Sequence, residues 1–212
     1  MPLLVAFFGV LLLKLLDCQK ELDMQEVDSP YSPGTIGIPM ASLARYTGFF
    51  YDLNQLKVPK GTQLVIAEGV NVAYNCNNLV KSMTGDWLWI MGDDHRFSPD
   101  ILLKLLERQV AIIVPVVCRR GMPFQTVLYK IAAPDRTAYM TYSWAELSHE
   151  WPNGGLATLE AAGTGGMLIR KLFLMRLKII GSNGVQVSVK ISGFVLKLAL
   201  MVLKFALIST NA

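Results

Sequence analysis

Cysteine is scarce in this chain. Cys18, Cys76 and Cys118 make an odd number with no CxxC spacing, which excludes a disulfide framework and a structural zinc site and points to a reducing compartment. Histidine is rarer still, with only His95 and His149. No run of lysine and arginine exceeds two residues, so the mild net charge of +4 leaves no nucleic-acid footprint. Neither the GxxxxGK[ST] phosphate loop nor a GxGxxG dinucleotide fingerprint occurs anywhere. Internal repeats and low-complexity stretches are also missing.

What is present is apolar substance. Hydrophobic residues make up 52% of the 212 positions and charged ones 17%, enough to bury a core and too apolar for a disordered chain. The length suits one substantial domain. The opening "MPLLVAFFGVLLLKLLDCQKELD" is shorter than the ~20 apolar residues that span a bilayer, and Lys14 interrupts it. It also lacks the basic start and small-residue cleavage site of a secretory signal. A helix packed on the domain, an unstructured extension and a membrane-surface helix all remain open for it. "VDSPYSPGT" then reads as a linker, so residues 1–34 are expected to be an extension and 35–171 the domain. The expected location is cytoplasmic, with peripheral membrane contact as the variant.

From Thr35 the pattern alternates. "TIGIPMA", "TQLVIAEG", "DWLWIMG" and "VAIIVPVVCRR" read as strands, and "SLARYTGFFYDLNQL", "VNVAYNCNNLVKSMTG" and "SPDILLKLLERQ" as the helices between them. Ser42 is a candidate cap for the first helix, and Ser98, with Asp100 in the first turn, for the third. The fourth strand is a near-continuous apolar run of the kind buried on both faces of a parallel sheet. The expected fold class is therefore α/β, a Rossmann-like, mostly parallel sheet flanked by helices in a single domain. Ligands of such sheets bind at the carboxyl ends of the strands, where Pro39, Glu68 and the triplet Asp93, Asp94 and His95 all fall.

The triplet has a chemistry. Adjacent carboxylates suit a hard divalent cation, which takes one or two protein carboxylates and completes its shell with substrate phosphates. Neighbouring side chains of an extended chain point in opposite directions, so Asp93 and Asp94 converge only across a turn, for which Gly92 gives freedom. The plainer alternative is a polar strand-to-helix loop. "AAGTGGMLIRK" is the second feature: three glycines before an apolar strand fit either a tight turn or a backbone that approaches a ligand closely. His149 stands alone in a polar stretch and reads as a surface side chain.

Taken in order, "TIGIPMASLA", "VAYNCNNLV", "WLWIMGDDHRFSPDILLKLLER" and "GTGGMLIRK" resemble a family-2-type glycosyltransferase with the GT-A fold, over about Thr35 to Lys171. The resemblance implies a nucleotide-sugar donor, a glycan, lipid or protein acceptor, no nucleic-acid partner, and Mn²⁺ or Mg²⁺ as cofactor. Asp94 matches the second acid of the family's Asp-x-Asp motif, with Asp93 standing in for the first, whose usual place Gly92 occupies. His95 adjoins them as a third metal ligand. Pro39, Met40, Ala41 and Glu68 fall on the base pocket. Asn77 matches the asparagine of an Arg-Asn pair, with Cys76 in place of the arginine, and Gly165 and Gly166 on the sugar side. The family's base lies in a later Glu-Asp motif, which this chain lacks.

After Lys171 no acid remains and the chain turns apolar and basic. "FVLKLALMVLKFALI" taken alone reads as a membrane-surface helix, giving a small membrane-associated protein as a rival reading. Back-translation offers another origin. Read from the third base of each codon, Met201-Val202 forces a glycine codon and Lys190-Ile191 permits only Asp or Asn. Phe194-Val195 permits only Cys or Arg, and Lys204-Phe205 only Ile or Val. Residues 189 to 195 then admit "EDIWFC" and residues 201 to 205 a "GFKI"-like strand, both characteristic of these transferases. The expectation is a shifted frame near Lys171, a tail over 172–212 that is not native, and a chain without its transfer base.

Overall fold

Residues 24–40, 46–119, 122–132, 138–152, 155–159, 161–176 and 198–201 are described by the structure, a computed structural model. In chain order the elements are β1 (Gln25–Val27), β2 (Thr35–Met40), α1 (Thr47–Gln55), β3 (Lys57–Pro59), β4 (Gln63–Glu68), α2 (Val72–Ser82), β5 (Trp87–Ile90), α3 (Ile101–Glu107) and β6 (Ile112–Pro115). There follow β7 (Leu128–Ile131), β8 (Tyr139–Thr141), α4 (Trp144–Glu150), β9 (Leu156–Leu159), β10 (Ala161–Ala162), β11 (Met167–Arg170), α5 (Lys171–Arg176) and β12 (Leu198–Met201). The first four predicted strands and three predicted helices all form. No helix among the described residues is long and apolar enough to cross a membrane. The apolar N-terminal segment and the expected Ser42 cap lie outside the described residues.

The principal sheet has seven strands in the order β4-β2-β5-β11-β6-β12-β9. Its pairings leave β4, β2, β5, β6 and β12 running one way and β11 and β9 the other. The chain passes from β2 outward to β4 and then returns to place β5 on the other side of β2, so the winding reverses between β2 and β5. In doubly wound sheets ligands bind at the carboxyl ends where the strand order reverses; here the helices that follow β2 and β5, α1 and α3, pack on the same core cluster. Three strands, β10-β7-β8, make a small antiparallel sheet beside it.

Alternation along the strands fills a core on each face. Trp87 and Trp89 of β5 join Ile36, Ile38, Phe49, Leu53, Leu102, Leu105 and Leu168 under α1 and α3. Leu88 and Ile90, pointing the other way, join Leu79, Val114, Leu147, Met167, Ile169 and Leu174 under α2, α4 and α5. All four residues of β5 and all four of β6 are buried, as expected of strands covered on both faces. Each indole still finds an acceptor, Trp87 at Ser32 O (2.8 Å) and Trp89 at Gly166 O (2.8 Å), as buried tryptophans require.

Two expected boundaries move. Residues 24–34 were expected to be an extension and linker, yet β1 pairs in parallel with β3 and Met24 and Tyr31 pack on the core. The linker-like composition of "VDSPYSPGT" hides this, because backbone pairing and the Trp87–Ser32 bond do the anchoring. At the other end the fold runs past Lys171, since Leu174 of α5 is 4% exposed and belongs to the second core cluster. The third helix also starts later than expected: Asp100, not Ser98, is its N-cap, and no side chain caps it.

Candidate functional site

The carboxyl end of β2 organises the site. Its pairing with β5 covers only Thr35 to Gly37, and the final bond is Met91 N donating to Gly37 O at 2.9 Å. Ile38, Pro39 and Met40 continue along β4 alone. Beyond Gly37 the chain that leaves β5 is thus free to turn away from β2, and it does so through Gly92, Asp93, Asp94 and His95.

That turn is built on short contacts. His95 N donates to Gly92 O at 3.4 Å. His95 Nδ1 lies 3.0 Å from Gly92 O and 3.0 Å from Asp94 Oδ1. Asp93, Asp94 and His95 are all half-buried. A Cβ on Gly92 would stand 2.8 Å from both Asp94 Oδ1 and the His95 ring, so the acid and the imidazole fold back over a residue that has no side chain to obstruct them.

The glycine-rich turn meets the acidic one. A Cβ on Gly165 would fall 2.6 Å from His95 Nε2, so the imidazole rests on this glycine. Gly166 N donates to Ile90 O at 2.8 Å, tying the two turns across β5 and β11. Gly166 has φ +78°, and a Cβ there would meet Pro115 at 2.9 Å, so both conformation and space call for glycine. The two features that composition alone left as separate loops form one wall.

The acidic turn is also fixed from behind, by residues sequence reasoning passed over. Asp52 of α1, 8% exposed, accepts from Arg96 Nε at 2.6 Å, Arg96 Nη2 at 3.0 Å and Phe97 N at 3.0 Å. The carboxylate holds the Arg96 guanidinium's pKa above its ordinary value. Phe97 then sits edge-on to Phe49 and Trp89, with ring centroids 5.8 and 5.9 Å apart. The residues directly after His95 are therefore clamped to α1 by a bidentate ion pair and an aromatic cluster.

On the other side of β2, Met40 and Glu68 are register partners at the strand ends. Met40 is 1% exposed, Pro39 half-buried and Glu68 exposed. Ala41 lies outside the described residues. The resemblance assigns Asn77 to the donor, but the helix residue that touches these strand ends is Asn75. Its Nδ2 donates to Met40 O at 3.2 Å and Gly69 O at 2.9 Å, and it is 1% exposed. Asn77 is two positions on, about 200° around the helix, and is only half-buried. A signal was available: Asn75 stands four residues before Leu79, on the stripe that faces the sheet, where a polar residue needs a partner. Cys76, between the two, is a free thiol whose pKa burial pushes up. His149 is exposed, as expected.

Among the described residues no group of three or more His, Cys, Asp or Glu side chains is arranged to hold a metal ion. Asp93, Asp94 and His95 thus do not form a closed cage. Two adjacent carboxylates are the oxygen donors this turn offers, and a hard cation would need its remaining ligands from elsewhere.

No protein-family model matches the chain, and no curated protein does. Among solved structures it is similar to A197 from STIV, at 12% identity and a TM-score of 0.41, over 78% of this chain and 80% of that one. A likeness of this extent carries neither family nor activity.

Proposed function

We propose that this α/β domain binds a nucleotide-sugar donor in the manner of a GT-A glycosyltransferase. The observation that supports it most is the meeting of the Gly92–His95 turn with the Gly165–Gly166 turn beside the point where the sheet reverses its winding. Doubly wound sheets hold nucleotides at that point. An acidic turn there, over a wall without side chains, suits a diphosphate with its cation and a sugar lying against backbone.

In this reading Asp94, with Asp93, holds Mn²⁺ or Mg²⁺, which when bound neutralises charge on the leaving diphosphate. His95 orients Asp94 through the 3.0 Å contact and is itself steadied by Gly92 O. Met40 and Glu68 border the base, and Asn75 keeps their strand ends together. Gly165 and Gly166 admit the sugar, and the Asp52–Arg96 pair keeps the turn in place.

One observation favours a second reading, a donor-binding protein without transferase activity. Residues 161–212 carry no Asp or Glu, and a later acid is what would deprotonate an acceptor hydroxyl. Titration calorimetry with a panel of nucleoside-diphosphate sugars, with and without Mn²⁺, addresses both readings. Mn²⁺-dependent binding that Asp94→Ala weakens at least about 10-fold supports the site, and product formation then separates transferase from binder. Donor binding indifferent to Mn²⁺ and to Asp94→Ala would sink both.

A further inference from the structure

Beyond β6 the chain makes a projecting loop that the donor site does not use. Val127 N donates to Val117 O at 2.9 Å and Arg119 N to Gln125 O at 2.8 Å, with an antiparallel bridge between Cys118 and Thr126. The loop is closed at its base by these bonds. At its tip, Met122 is 80% exposed and Phe124 51%. Trp144, in the first turn of α4 and 43% exposed, donates from its indole to Phe124 O at 3.1 Å. Three large apolar side chains are thus exposed to solvent on and beside a loop that backbone hydrogen bonds close at its base.

Charge says what such a tip would meet. From Val116 to Ala132 the sequence carries Arg119, Arg120 and Lys130 and no acid. Lys130 is occupied by Glu146, whereas Arg119 is exposed beside the tip. An apolar tip with an indole at its margin and the exposed Arg119 at its base matches an interface of acyl chains below anionic headgroups. We propose that Met122 and Phe124 insert into the interface of an anionic bilayer, with Arg119 on the lipid phosphates and Trp144 at headgroup depth. The loop leaves the carboxyl end of β6, next to the glycine turn, since Gly166 lies against Pro115 and Val117. Docking would therefore hold the mouth of the site toward the membrane.

The inference does not depend on the transferase reading, and its test reads neither donor nor product. The full chain is sedimented with vesicles of phosphatidylcholine alone and of phosphatidylcholine with phosphatidylglycerol. Preferential partitioning to the anionic vesicles is expected. Met122→Ser with Phe124→Ser should lower it about 10-fold, and Arg119→Gln about 5-fold on anionic vesicles alone. Tyr51→Ser, which removes a side chain 61% exposed on α1, should change nothing. All these positions are exposed, so circular dichroism should show the same fold throughout. Equal binding to neutral vesicles, or unchanged partitioning of the Met122→Ser/Phe124→Ser chain, overturns the proposal. A loss with Tyr51→Ser as large as that of the tip variant does so as well.

Discussion

Removing the Asp52 carboxylate should loosen the acidic turn without touching it. Asp52 is 8% exposed and accepts three hydrogen bonds, two of them from the Arg96 guanidinium. Hydrogen bonds to charged groups contribute ~1.5–3 kcal/mol each where both partners are desolvated. Arg96 is 68% exposed, so water takes over its donors once the acid is gone, and its share falls toward the ~0–1 kcal/mol of a surface pair. Phe97 N–H, part-buried, loses its acceptor at a penalty of ~1–3 kcal/mol. Asp52→Ala should therefore cost about 2–3 kcal/mol. With a urea slope of ~1–3 kcal/mol/M, the midpoint should drop by roughly 1–2 M, followed by fluorescence of the buried Trp87 and Trp89. Asp52→Asn keeps an acceptor for Phe97 and loses only the charge, so about half of that drop is expected. Donor binding in Mn²⁺ should weaken in both variants at urea concentrations that unfold neither. The reasoning is refuted if Asp52→Ala lies within about 0.5 kcal/mol of the parent chain, the usual range of an inconsequential surface change.

Three further outcomes are expected. Gly165→Ala places a methyl 2.6 Å from His95 Nε2, so it should displace the imidazole and shift its ring resonances in an NMR spectrum, at a cost of about 1–3 kcal/mol for overpacking; unmoved resonances would show that the ring does not rest there. Glu146, paired with Lys130 and bonded to the backbone and hydroxyl of Ser143, is held down to about 2 from an ordinary 4.5. A depressed carboxylate stabilises the fold above its unfolded pKa and loses that contribution as pH falls from about 4.5 toward 2. Its carboxyl carbon should titrate near pH 2, and nearer 4.5 in Lys130→Ala; a midpoint near 4.5 in the parent chain contradicts the pairing. Finally, the coding DNA downstream of Lys171, read from the third base of each codon, should spell "EDIWFC" and then a "GFKI"-like strand; any other reading removes the frame-shift account.

The alternation of strand and helix from Thr35 to Pro115 was legible because each element has the period of its own structure. "WLWI" places its tryptophans on one face and Leu88 and Ile90 on the other, and "ILLKLLE" buries Ile101, Leu102, Leu105 and Leu106 along one stripe. The carboxyl-end position of Glu68 and of Asp93 to His95 followed from strand direction alone. What periodicity does not carry is pairing between distant segments. Nothing local marks β1 as the partner of β3, and nothing local marks Gly165 as the bed of His95 some seventy residues earlier, which depends on where the sheet inserts β11 between β5 and β6.

The residues that hold the site escaped notice for a related reason. Asp52 sits in "FFYDLNQ" as an ordinary helical acid, and only the register of α1 against the 92–97 turn makes it the anchor of Arg96 and Phe97. Asn75 and Asn77 look alike in "YNCNNLV", and resemblance selected Asn77. Helical phase separates them, since Asn75 falls on the stripe of Leu79 and its amide donors meet both Met40 O and Gly69 O. Its Oδ1 has no hydrogen-bond partner and lies 2.9 Å from where a Cβ on Gly69 would stand. Gly69 and Asn75 are therefore a matched pair: a side chain at Gly69 would push the amide off both carbonyls and loosen the tie between these strand ends. A polar residue on a helix's buried stripe, six residues after the glycine that follows a strand, thus marks a helix tied to the strand ends beside it.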